Sequence, residues 1–492
     1  MLLRELIRAI SVSETDFPDR EIERIEYNSR KTDGDCLFVC LVGAKADGHD
    51  YAMHAYRGGC RAFLTSHAVS LPSDAVILTT DDTRAALAQL SAAFYGYPAK
   101  KLHLIGITGT KGKTTTALLT SAILNASGRP SAYIGGNGVI WNGKRIETVN
   151  TTPESRDLHC HFAAMVRDGI EYAVMEVSSQ ALAHHRVDGL LFETVVFTNL
   201  SPDHIGEAEH PTFEHYMQSK SRLFTEYGAK VAVYNADDPA WQDVLGDCRS
   251  ERISYGISSD ADFSGDDITP YRDRTTLGVR FNCRTPDGDG RITVCSPGTF
   301  SVQNALAAMA AASVYGVTVA EAARALAKTP VLGRFEIVEG IPGRTFIIDY
   351  AHNGISLSHA LTALREYHPH RLICLIGSVG GRTEERRAEL GRAASTLSDY
   401  CIITSDNPDF EDPAAIINDI LVHVHKDCPH ESHISRETAI RRAVRMSEDG
   451  DIVLFAGKGH ETYQLIEGKK VPFSEREIIL DECARIFEEE QE

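Results

Sequence analysis

The residues best suited to chemistry form a glycine-rich stretch between a strand-like run and a helix-like run. Gly109 and Gly112 allow backbone N–H groups to wrap a polyphosphate, and the N-terminus of the following helix adds partial positive charge. Lys113 supplies a point charge for the outer phosphates, and the hydroxyl of Thr114 suits Mg²⁺. The pattern predicts a loop that binds the phosphates of ATP or GTP. Its residues are Gly109, Thr110, Lys111, Gly112, Lys113, Thr114 and Thr115.

Further polar side chains follow two other strand-like runs. Glu176 ends an apolar run and offers a hard oxygen ligand for Mg²⁺. Asp203 and His204 come shortly after another apolar run, and His204 is able to bind a second metal ion. Because strand ends on a doubly wound sheet meet at one edge, where ligands bind, these side chains together predict a nucleotide and metal site.

Alternating strand-like and helix-like segments must position these residues. Strand-like runs occupy residues 102–107, 172–176, 194–198, 230–234, 345–349, 372–376, 400–404 and 452–455. Helix-like runs occupy residues 85–94 and 304–327. This alternation favours βαβ units around mostly parallel sheets. Seams near residues 95–101 and 330–334 divide the α/β chain into predicted domains at residues 1–100, 101–331 and 332–492.

Composition limits the classes of protein that fit. The chain has 492 residues, with 50 basic and 69 acidic ones and a formal net charge of −19. A general nucleic-acid or anionic-membrane binder would need a broad basic surface, so neither partner is expected. No apolar run reaches the roughly 20 residues that span a bilayer. Eleven cysteines without a paired pattern favour reduced, mostly buried thiols, and we expect a cytoplasmic protein.

The ordered motifs resemble those of the Mur ligase family, the ATP-dependent enzymes that add amino acids during peptidoglycan synthesis. The motifs begin at Gly109, Asn150, Met175, His185, Thr198, Ser219, Asp349, Asp406 and Gly457. The resemblance covers residues from about 27 to 476. Within the family, the order and spacing are similar to those of the enzymes that add the third residue to UDP-N-acetylmuramoyl-L-alanyl-D-glutamate.

The resemblance implies a three-domain α/β fold. The N-terminal domain would bind the uridine nucleotide, the central P-loop ATPase domain would hold a mostly parallel sheet, and the C-terminal domain would be Rossmann-like. It also implies ATP and Mg²⁺ as cofactors, the UDP-MurNAc-dipeptide and a free amino acid as partners, and a monomer. ATP would convert a substrate carboxylate into an acyl phosphate, which the incoming amine attacks with release of ADP and phosphate.

Positions that match the family's motifs acquire expected roles. The uridine nucleotide would be held by Ser29, Ala44, Lys45 and Ala46, and the muramoyl dipeptide by Asn150, Thr151, Thr152, Ser178, His184 and Arg186. The catalytic residues would be Lys113, Glu176, His204 and Lys220, and the metal ligands Thr114, Glu176, His204 and Lys220, the last as a carbamate. ATP would also contact Asn304, Arg334 and Asp349. The incoming amino acid would meet Arg382, Asp406, Asn407, Pro408, Asp409, Gly457 and Glu461.

The identity of the added amino acid depends on position 409. Relatives that add meso-diaminopimelate read Asp-Asn-Pro-Arg, in which the guanidinium pairs with the distal carboxylate. Here Asp409 takes the place of that arginine, and an acid would repel a second carboxylate and attract an ammonium. We therefore predict L-lysine or another diamino acid, with meso-diaminopimelate as the alternative because Arg382 is present.

Other interpretations stay open at this point. A folylpolyglutamate synthase shares the phosphate loop but does not account for the uridine-binding segments. A non-catalytic relative would bind the nucleotide precursor without turning over ATP. A paralogue acting on another UDP-linked or peptide substrate is favoured by local departures from the family's pattern near residues 203–220 and 353–355.

Overall fold

Buried apolar strands organise the chain around parallel sheets, as the alternating pattern predicts. A computed structural model describes residues 1–12, 17–43, 46–203, 205–206, 209–273, 276–331 and 333–489. The chain divides into two compact units, one with residues 1–264 and 306–322 and the other with residues 265–305 and 323–492. Each unit is described by itself below.

The first unit begins with a parallel sheet of strand order β1-β2-β3-β4. Its strands are β1 (Arg24–Glu26), β2 (Cys36–Val39), β3 (Ala62–Thr65) and β4 (Val76–Thr79), and its helices are α1 (Leu3–Leu6), α2 (Ala52–Arg57) and α3 (Thr83–Phe94). Leu87 and Leu90 of α3 lie in one buried cluster with Leu37 and Leu64 of the sheet. The side chain of Asp82 accepts hydrogen bonds at the N-terminus of α3 and so fixes where the helix begins.

A second sheet of the same unit carries the phosphate loop. Its strands are β5 (His103–Thr108), β6 (Ser131–Gly135), β7 (Gly138–Trp141), β8 (Lys144–Ile146), β9 (Tyr172–Glu176), β10 (Thr194–Phe197), β11 (Val231–Asn235) and β12 (Glu251–Gly256). Their order is β12-β11-β10-β5-β9-β6-β7-β8, parallel except where β7 pairs with β6 and with β8. The helices are α4 (Lys113–Ala126), α5 (Ser155–Arg167), α6 (Ser179–Ala183), α7 (Phe213–Thr225) and α8 (Trp241–Leu245). The loop after β5 is therefore flanked by the ends of β9 and β10.

Polar contacts join the first sheet of this unit to α5 of the second. Arg156 donates to the carboxylate of Glu26 at 3.1 Å. The hydroxyl of Tyr27 donates to Asp157. Arg84 of α3 reaches Glu154, the residue just before α5, at 3.3 Å. We call Arg84–Glu154, Tyr27–Asp157 and Glu26–Arg156 the α5 contacts.

The second unit contains an antiparallel hairpin and two helices before its main sheet. Strands β13 (Phe263–Arg272), β14 (Leu277–Thr285) and β15 (Gly288–Val294) precede helices α9 (Thr299–Ser313) and α10 (Val319–Leu326), and β13, α9 and α10 each cross the division between units. The predicted single helical run over residues 304–327 is wrong. The chain turns at Gly316, where φ is +74°, and glycine tolerates that conformation because it has no Cβ.

The main sheet of the second unit has strand order β16-β17-β21-β18-β19-β20, parallel except for β16. The strands are β16 (Glu336–Val338), β17 (Thr345–Asp349), β18 (Leu372–Ile376), β19 (Tyr400–Thr404), β20 (His430–His433) and β21 (Ile452–Ala456), followed by a hairpin of β22 (Tyr463–Ile466) and β23 (Lys469–Pro472). The helices are α11 (Gly354–Arg365), α12 (Glu384–Leu397), α13 (Pro413–Leu421), α14 (Arg436–Met446) and α15 (Glu475–Glu489). Buried apolar side chains cover both faces of the sheet, as is typical of parallel sheets between helices.

The thiols are free, as the cysteine pattern predicts. All eleven cysteines are free, and nine of them are buried. Among the described residues, no helix combines the length and apolar character needed to cross a membrane.

Candidate active site

The phosphate loop depends on two glycines with positive φ. The angle is +148° at Gly109 and +82° at Gly112, just before α4. A Cβ at Gly109 would overlap the hydroxyl of Thr198, so a larger residue does not fit. The backbone N–H of Lys111 donates to the side chain of Asn199 at 2.9 Å. Asn199, just after β10, therefore anchors the loop. The sequence analysis gave it no role, although it directly follows Thr198, where one of the family's motifs begins.

Two lysines converge on one carbonyl oxygen of this loop. The ammonium groups of Lys113 and Lys220 each lie 2.8 Å from the oxygen of Gly109. Lys220, on α7, is 1% exposed. Burial lowers the pKa of Lys220 well below its ordinary value, and the neighbouring Lys113 charge lowers it further, with Asp203 opposing. Lys220, which the family resemblance alone marked as a site residue, therefore lies beside the loop, and its role as a carbamate stays a prediction.

The carboxylate of Glu176 is buried and fully engaged at the end of β9. The hydroxyl of Thr114 donates to one oxygen at 3.0 Å. The hydroxyl of Tyr133 and the N–H of Gly136 donate to the other oxygen at 2.6 and 2.9 Å. Sequence reasoning missed Tyr133, because a tyrosine in a buried strand gives no signal that distinguishes a site contact from core packing.

Hard oxygen donors at this place fit Mg²⁺. Mg²⁺ in phosphoryl-transfer sites binds one or two carboxylates or hydroxyls together with substrate phosphates. The hydroxyl of Thr114 and the carboxylate of Glu176 are such donors, and they are already in contact. Of the two other predicted ligands, Lys220 lies beside the loop, whereas His204 lies outside the described residues.

The segment predicted to hold the dipeptide lies against the same strand end. Thr152 donates to the carbonyl of Glu176 at 2.9 Å and accepts from the N–H of Ser178 at 3.0 Å. Arg186 donates to Glu154 at 2.9 Å and to the carbonyl of Thr152 at 3.3 Å. These bonds bring Thr152, Ser178 and Arg186 together with Glu176.

Neighbouring residues of the predicted dipeptide segment are less tightly held. A Cβ at Gly136 would lie 4.0 Å from the hydroxyls of both Thr114 and Thr151, so Thr151 borders the candidate metal site. Asn150 is half-buried. His184 directly follows α6.

The predicted uridine segments lie in the first sheet of the same unit. Ser29 begins a short 3₁₀ turn, Ser29–Lys31, whose N-terminus is capped by the side chain of Asn28. The carbonyl of exposed Ala46 accepts from the N–H of Gly43 at 2.9 Å. Ala44 and Lys45, both predicted contacts, lie outside the described residues.

Residues predicted to contact ATP also occur in the second unit. Asp349, at the end of β17, accepts from the backbone N–H groups of Phe335 and Ala351 at 3.0 and 2.8 Å. Burial raises the pKa of Asp349, and the charge of Arg334 opposes that rise. The guanidinium of Arg334 lies 5.0 Å from the centre of the Tyr350 ring. The third member, Asn304, is buried in α9.

Three residues of the predicted acceptor pocket meet around a lysine that sequence reasoning missed. The ammonium of Lys458 lies 2.9 Å from Asn407 Oδ1, 3.0 Å from Glu461 Oε2 and 3.4 Å from Asp406 Oδ1. Asn407 also donates to Glu461 at 2.9 Å. The signal was present in the sequence, because Lys458 lies between Gly459 and Gly457, where one of the family's motifs begins, but only Gly457 and Glu461 of that motif were given roles.

The remaining acceptor residues have different surroundings. Asp409 has φ of +52°, and its carboxylate accepts from the N–H of Gly468 at 2.7 Å, in the turn between β22 and β23. Pro408 is buried, whereas Arg382 is exposed. Gly457 has φ of +113°, and a Cβ there would lie 2.8 Å from Asp406 Oδ2. Asp409 thus lies against the β22–β23 turn and accepts a hydrogen bond from it.

Comparisons with known proteins agree with this arrangement. Three family models match: "Mur ligase family, catalytic domain" at residues 21–95, "Mur ligase middle domain" at residues 107–312, and "Mur ligase, glutamate ligase domain" at residues 333–459. The three matches agree with a three-domain α/β fold. The exact domain boundaries, after residues 100 and 331, stay predictions.

Similar proteins cover nearly the whole chain. A UDP-N-acetylmuramoyl-L-alanyl-D-glutamate--2,6-diaminopimelate ligase from Caldanaerobacter subterraneus subsp. tengcongensis is 38% identical over 97% of this chain and 98% of its own length. A ligase of the same name from Clostridium botulinum is 37% identical over 97% of this chain and 99% of its own length. A solved structure of a ligase with that name has a TM-score of 0.66 and 26% identity over 95% of each chain.

Proposed function

The chain belongs to the Mur ligase family, and from this premise we propose that it joins 2,6-diaminopimelate to UDP-N-acetylmuramoyl-L-alanyl-D-glutamate at the expense of ATP. This reaction is that of the MurE branch of the family. The observation that carries the proposal is the meeting of Lys113, Thr114, Glu176 and Lys220 at one phosphate loop. A scaffold that only bound the precursor would not need this set of groups.

The proposed chemistry has two steps. The substrate carboxylate attacks the γ-phosphorus of ATP, so that ADP leaves and an acyl phosphate forms. The unprotonated amine of the incoming amino acid then attacks the acyl carbon, and phosphate leaves as the amide forms. The loop carbonyls of Gly109 and Thr110 hold the ammonium of Lys113 at the phosphate loop. From there its positive charge stabilises the negative charge on the transferred phosphoryl group.

Mg²⁺ is proposed to bind at Thr114 and Glu176. When bound, the ion neutralises charge on the phosphates and orients them. Tyr133 and the N–H of Gly136 hold the Glu176 carboxylate in place for this role. Lys220 is proposed to join them as a carbamate, since a buried amine beside Lys113 favours its neutral, nucleophilic form.

The added amino acid is proposed to be diaminopimelate, and the lysine prediction is not kept. The similar ligases named above are 2,6-diaminopimelate ligases by name, which favours the alternative given by the sequence. The argument for lysine rested on the negative charge of Asp409, which would repel a second carboxylate. That carboxylate also accepts a hydrogen bond from the N–H of Gly468, so it has a structural contact besides any effect on the acceptor.

The other predicted contacts are proposed to position substrates. Arg186, Thr152 and Ser178 would orient the muramoyl dipeptide, and Ser29 and Ala46 the uridine nucleotide. In the second unit, Arg334 and Asp349 would hold ATP, while Asn407 and Glu461 would bind an amino group of the acceptor. A cytoplasmic location and a monomeric state are kept as further proposals.

The experiment is an assay of phosphate release with the purified full chain. ATP, Mg²⁺ and UDP-N-acetylmuramoyl-L-alanyl-D-glutamate are supplied with meso-diaminopimelate, L-lysine or L-ornithine, and the product mass is measured. We expect phosphate release that requires both the precursor and diaminopimelate, with a product mass corresponding to one added diaminopimelate.

Two outcomes would contradict the proposal in different ways. Turnover with L-lysine and none with diaminopimelate would overturn the acceptor but leave the ligase activity. Binding of the UDP precursor without phosphate release from any acceptor would support a non-catalytic relative instead.

A further inference from the structure

A fully buried lysine lies at the centre of the candidate acceptor pocket. Lys458 is 0% exposed, and its ammonium contacts Asp406, Asn407 and Glu461. Three acceptors match the three donors of an ammonium, so each N–H finds a partner. A buried ammonium is stable only when it is paired in this way.

The backbone is shaped to turn this lysine inward. Gly457 and Gly459 on either side have φ of +113° and +52°, in the region that glycine adopts without a Cβ penalty. A Cβ at Gly459 would lie 2.7 Å from the Cβ of Tyr350, so the chain also passes too close to its neighbours for a larger residue. The backbone conformation of the Gly-Lys-Gly sequence therefore directs the lysine side chain into the pocket.

Lys458 also organises the side chains around it. It shares Glu461 Oε2 with the amide of Asn407, while Asn407 Oδ1 accepts from both Lys458 and the N–H of Leu465. These bonds fix which end of the Asn407 amide faces Glu461. The ammonium is the charged donor that bridges Asn407 Oδ1 and Glu461 Oε2, whereas the other donors to Glu461 among the described residues are neutral: the amide of Asn407 and the hydroxyl of Tyr350 at 3.4 Å. Within that part of the chain, removing the bridge leaves nothing charged to hold the two side chains together.

We propose that Lys458 is a positioning residue that also determines specificity: it holds Asn407 and Glu461 in their binding orientation and sets the charge of the pocket to favour an acceptor with a second carboxylate. This inference rests on the proposed function. Nothing in the reaction requires Lys458 to touch the reacting atoms, so it acts through its neighbours.

The charge argument follows from counting the groups. Ionised Asp406 and Glu461 carry two negative charges against one positive charge of Lys458. Removing the lysine charge leaves two uncompensated carboxylates. The distal end of diaminopimelate carries an ammonium and a carboxylate, whereas the distal end of L-lysine carries an ammonium alone. A more negative pocket therefore favours L-lysine relative to diaminopimelate.

The test compares Lys458→Met with wild type, using Lys470→Met as the matched control. Lys470 is exposed and lies over the same Tyr463 ring that Lys458 approaches, at 4.1 against 5.8 Å, but it contacts none of the three pocket side chains in the described residues. For K458M we expect the ratio of kcat/KM for diaminopimelate to kcat/KM for L-lysine to fall by roughly tenfold or more, since a unit charge about 4 Å away has an effect of about fivefold even in bulk water and a larger one in a partly screened site. The KM for the UDP precursor should stay unchanged, and K470M should leave the ratio as in wild type.

A ligand-free measurement separates this inference from the proposed function. In a crystal structure of K458M we expect the 2.9 Å contact between Asn407 Nδ2 and Glu461 Oε2 to be lost. If K458M does not fold, Lys458→Gln is measured in its place; it retains an N–H donor but no charge, so the ratio should fall although the contact remains.

The contrary results are distinct. An unchanged acceptor ratio, with kcat/KM reduced equally for both amino acids, would reduce Lys458 to a structural role and overturn its part in specificity. Retention of the Asn407–Glu461 contact in K458M would overturn its positioning role. If wild type turns over neither amino acid, the proposed function fails, and the ligand-free structure still decides the positioning role.

Discussion

Lys113 and Lys220 share the carbonyl oxygen of Gly109, each at 2.8 Å, although 107 residues separate them in sequence. Burial lowers the pKa of Lys220 well below its ordinary value, and repulsion from the Lys113 ammonium lowers it further. The loop therefore pairs a cation for phosphate with a buried amine that loses its proton more easily than an ordinary lysine.

The first prediction concerns Lys113, the less buried member of this pair. Lys113→Ala should lower the rate of phosphate release by roughly 10²-fold or more, because the charge that stabilises the transferred phosphoryl group is lost. Lys101→Ala, a lysine just before β5, is the control and should leave the rate unchanged. Wild-type turnover in K113A would show that the loop lysine is dispensable and would argue against the phosphoryl-transfer role.

The second prediction concerns a carbamate at Lys220. A neutral buried amine can add CO₂, forming an N-carboxylate and releasing one proton. With ¹³C-bicarbonate we expect a carbamate signal in the NMR spectrum of the wild-type protein and none in Lys220→Ala. Removing CO₂ should lower phosphate release, and added bicarbonate should restore it. A wild-type spectrum without the signal, at full activity, would exclude carbamylation.

The third prediction concerns a buried ion pair beneath the acceptor pocket. Arg436 donates to Glu475 at 2.8 Å and to the carbonyls of Ser405 and Ala456, and both side chains are nearly inaccessible. Arg436→Met should lower the free energy of unfolding by about 3–5 kcal/mol, because Glu475 is left buried without a partner. Urea unfolding measures this loss, and Arg436→Met with Glu475→Leu should recover much of it. A double variant no more stable than R436M would contradict the mechanism.

The fourth prediction concerns Asp409 in its left-handed conformation. Asn tolerates positive φ and keeps an oxygen for the N–H of Gly468, so Asp409→Asn should fold with nearly wild-type stability. Asp409→Ala loses that bond and should lower the free energy of unfolding by about 1 kcal/mol. If D409N also lowers the KM for diaminopimelate while leaving that for the UDP precursor alone, the acid at 409 opposes the distal carboxylate. Equal stability of D409A and wild type would show that the turn does not need the side chain.

The fifth prediction concerns the stability of the second unit in acid. Burial alone would raise the pKa of Asp451, but hydrogen bonds from the N–H of Glu448 and from Arg371 outweigh it and lower the pKa. The stability from ionised Asp451 is therefore present above its unfolded pKa of about 3.9 and is lost as the pH falls through the lower folded value. The difference in unfolding free energy between wild type and Asp451→Asn should be large at pH 7 and shrink toward pH 3. Asp427→Asn, at an exposed position, should show a far smaller pH dependence.

Hydrophobic runs predicted much of the scaffold. The apolar segments near residues 103, 172, 194, 345 and 400 are strands, because each is buried on both faces of a parallel sheet. The hairpins β14–β15 and β22–β23 were not predicted, since their strands mix polar and apolar residues without a buried run. The helical run over residues 304–327 was wrong because alanine-rich composition hides the turn at Gly316.

Site residues could be predicted where they lie in a sequence motif whose residue types indicate a particular chemistry. Lys113, Thr114 and Glu176 could be proposed because phosphate and Mg²⁺ demand such groups at strand ends. Tyr133 and Lys458 could not, because their roles depend on contacts between segments far apart in sequence. The preference for lysine was inferred from the charge of Asp409 alone, whereas the hydrogen bond that Asp409 accepts from Gly468 is visible only in the fold.

The α5 contacts bear on how this enzyme could be recombined with its relatives. An exchange of the N-terminal 100 residues would cut the chain between Arg84 and Glu154, between Tyr27 and Asp157, and between Glu26 and Arg156. Each contact joins a donor to an acceptor supplied by opposite sides of the cut. A transplanted N-terminal segment must bring the complementary partner at all three positions, so the segment is less interchangeable than a self-contained module would be.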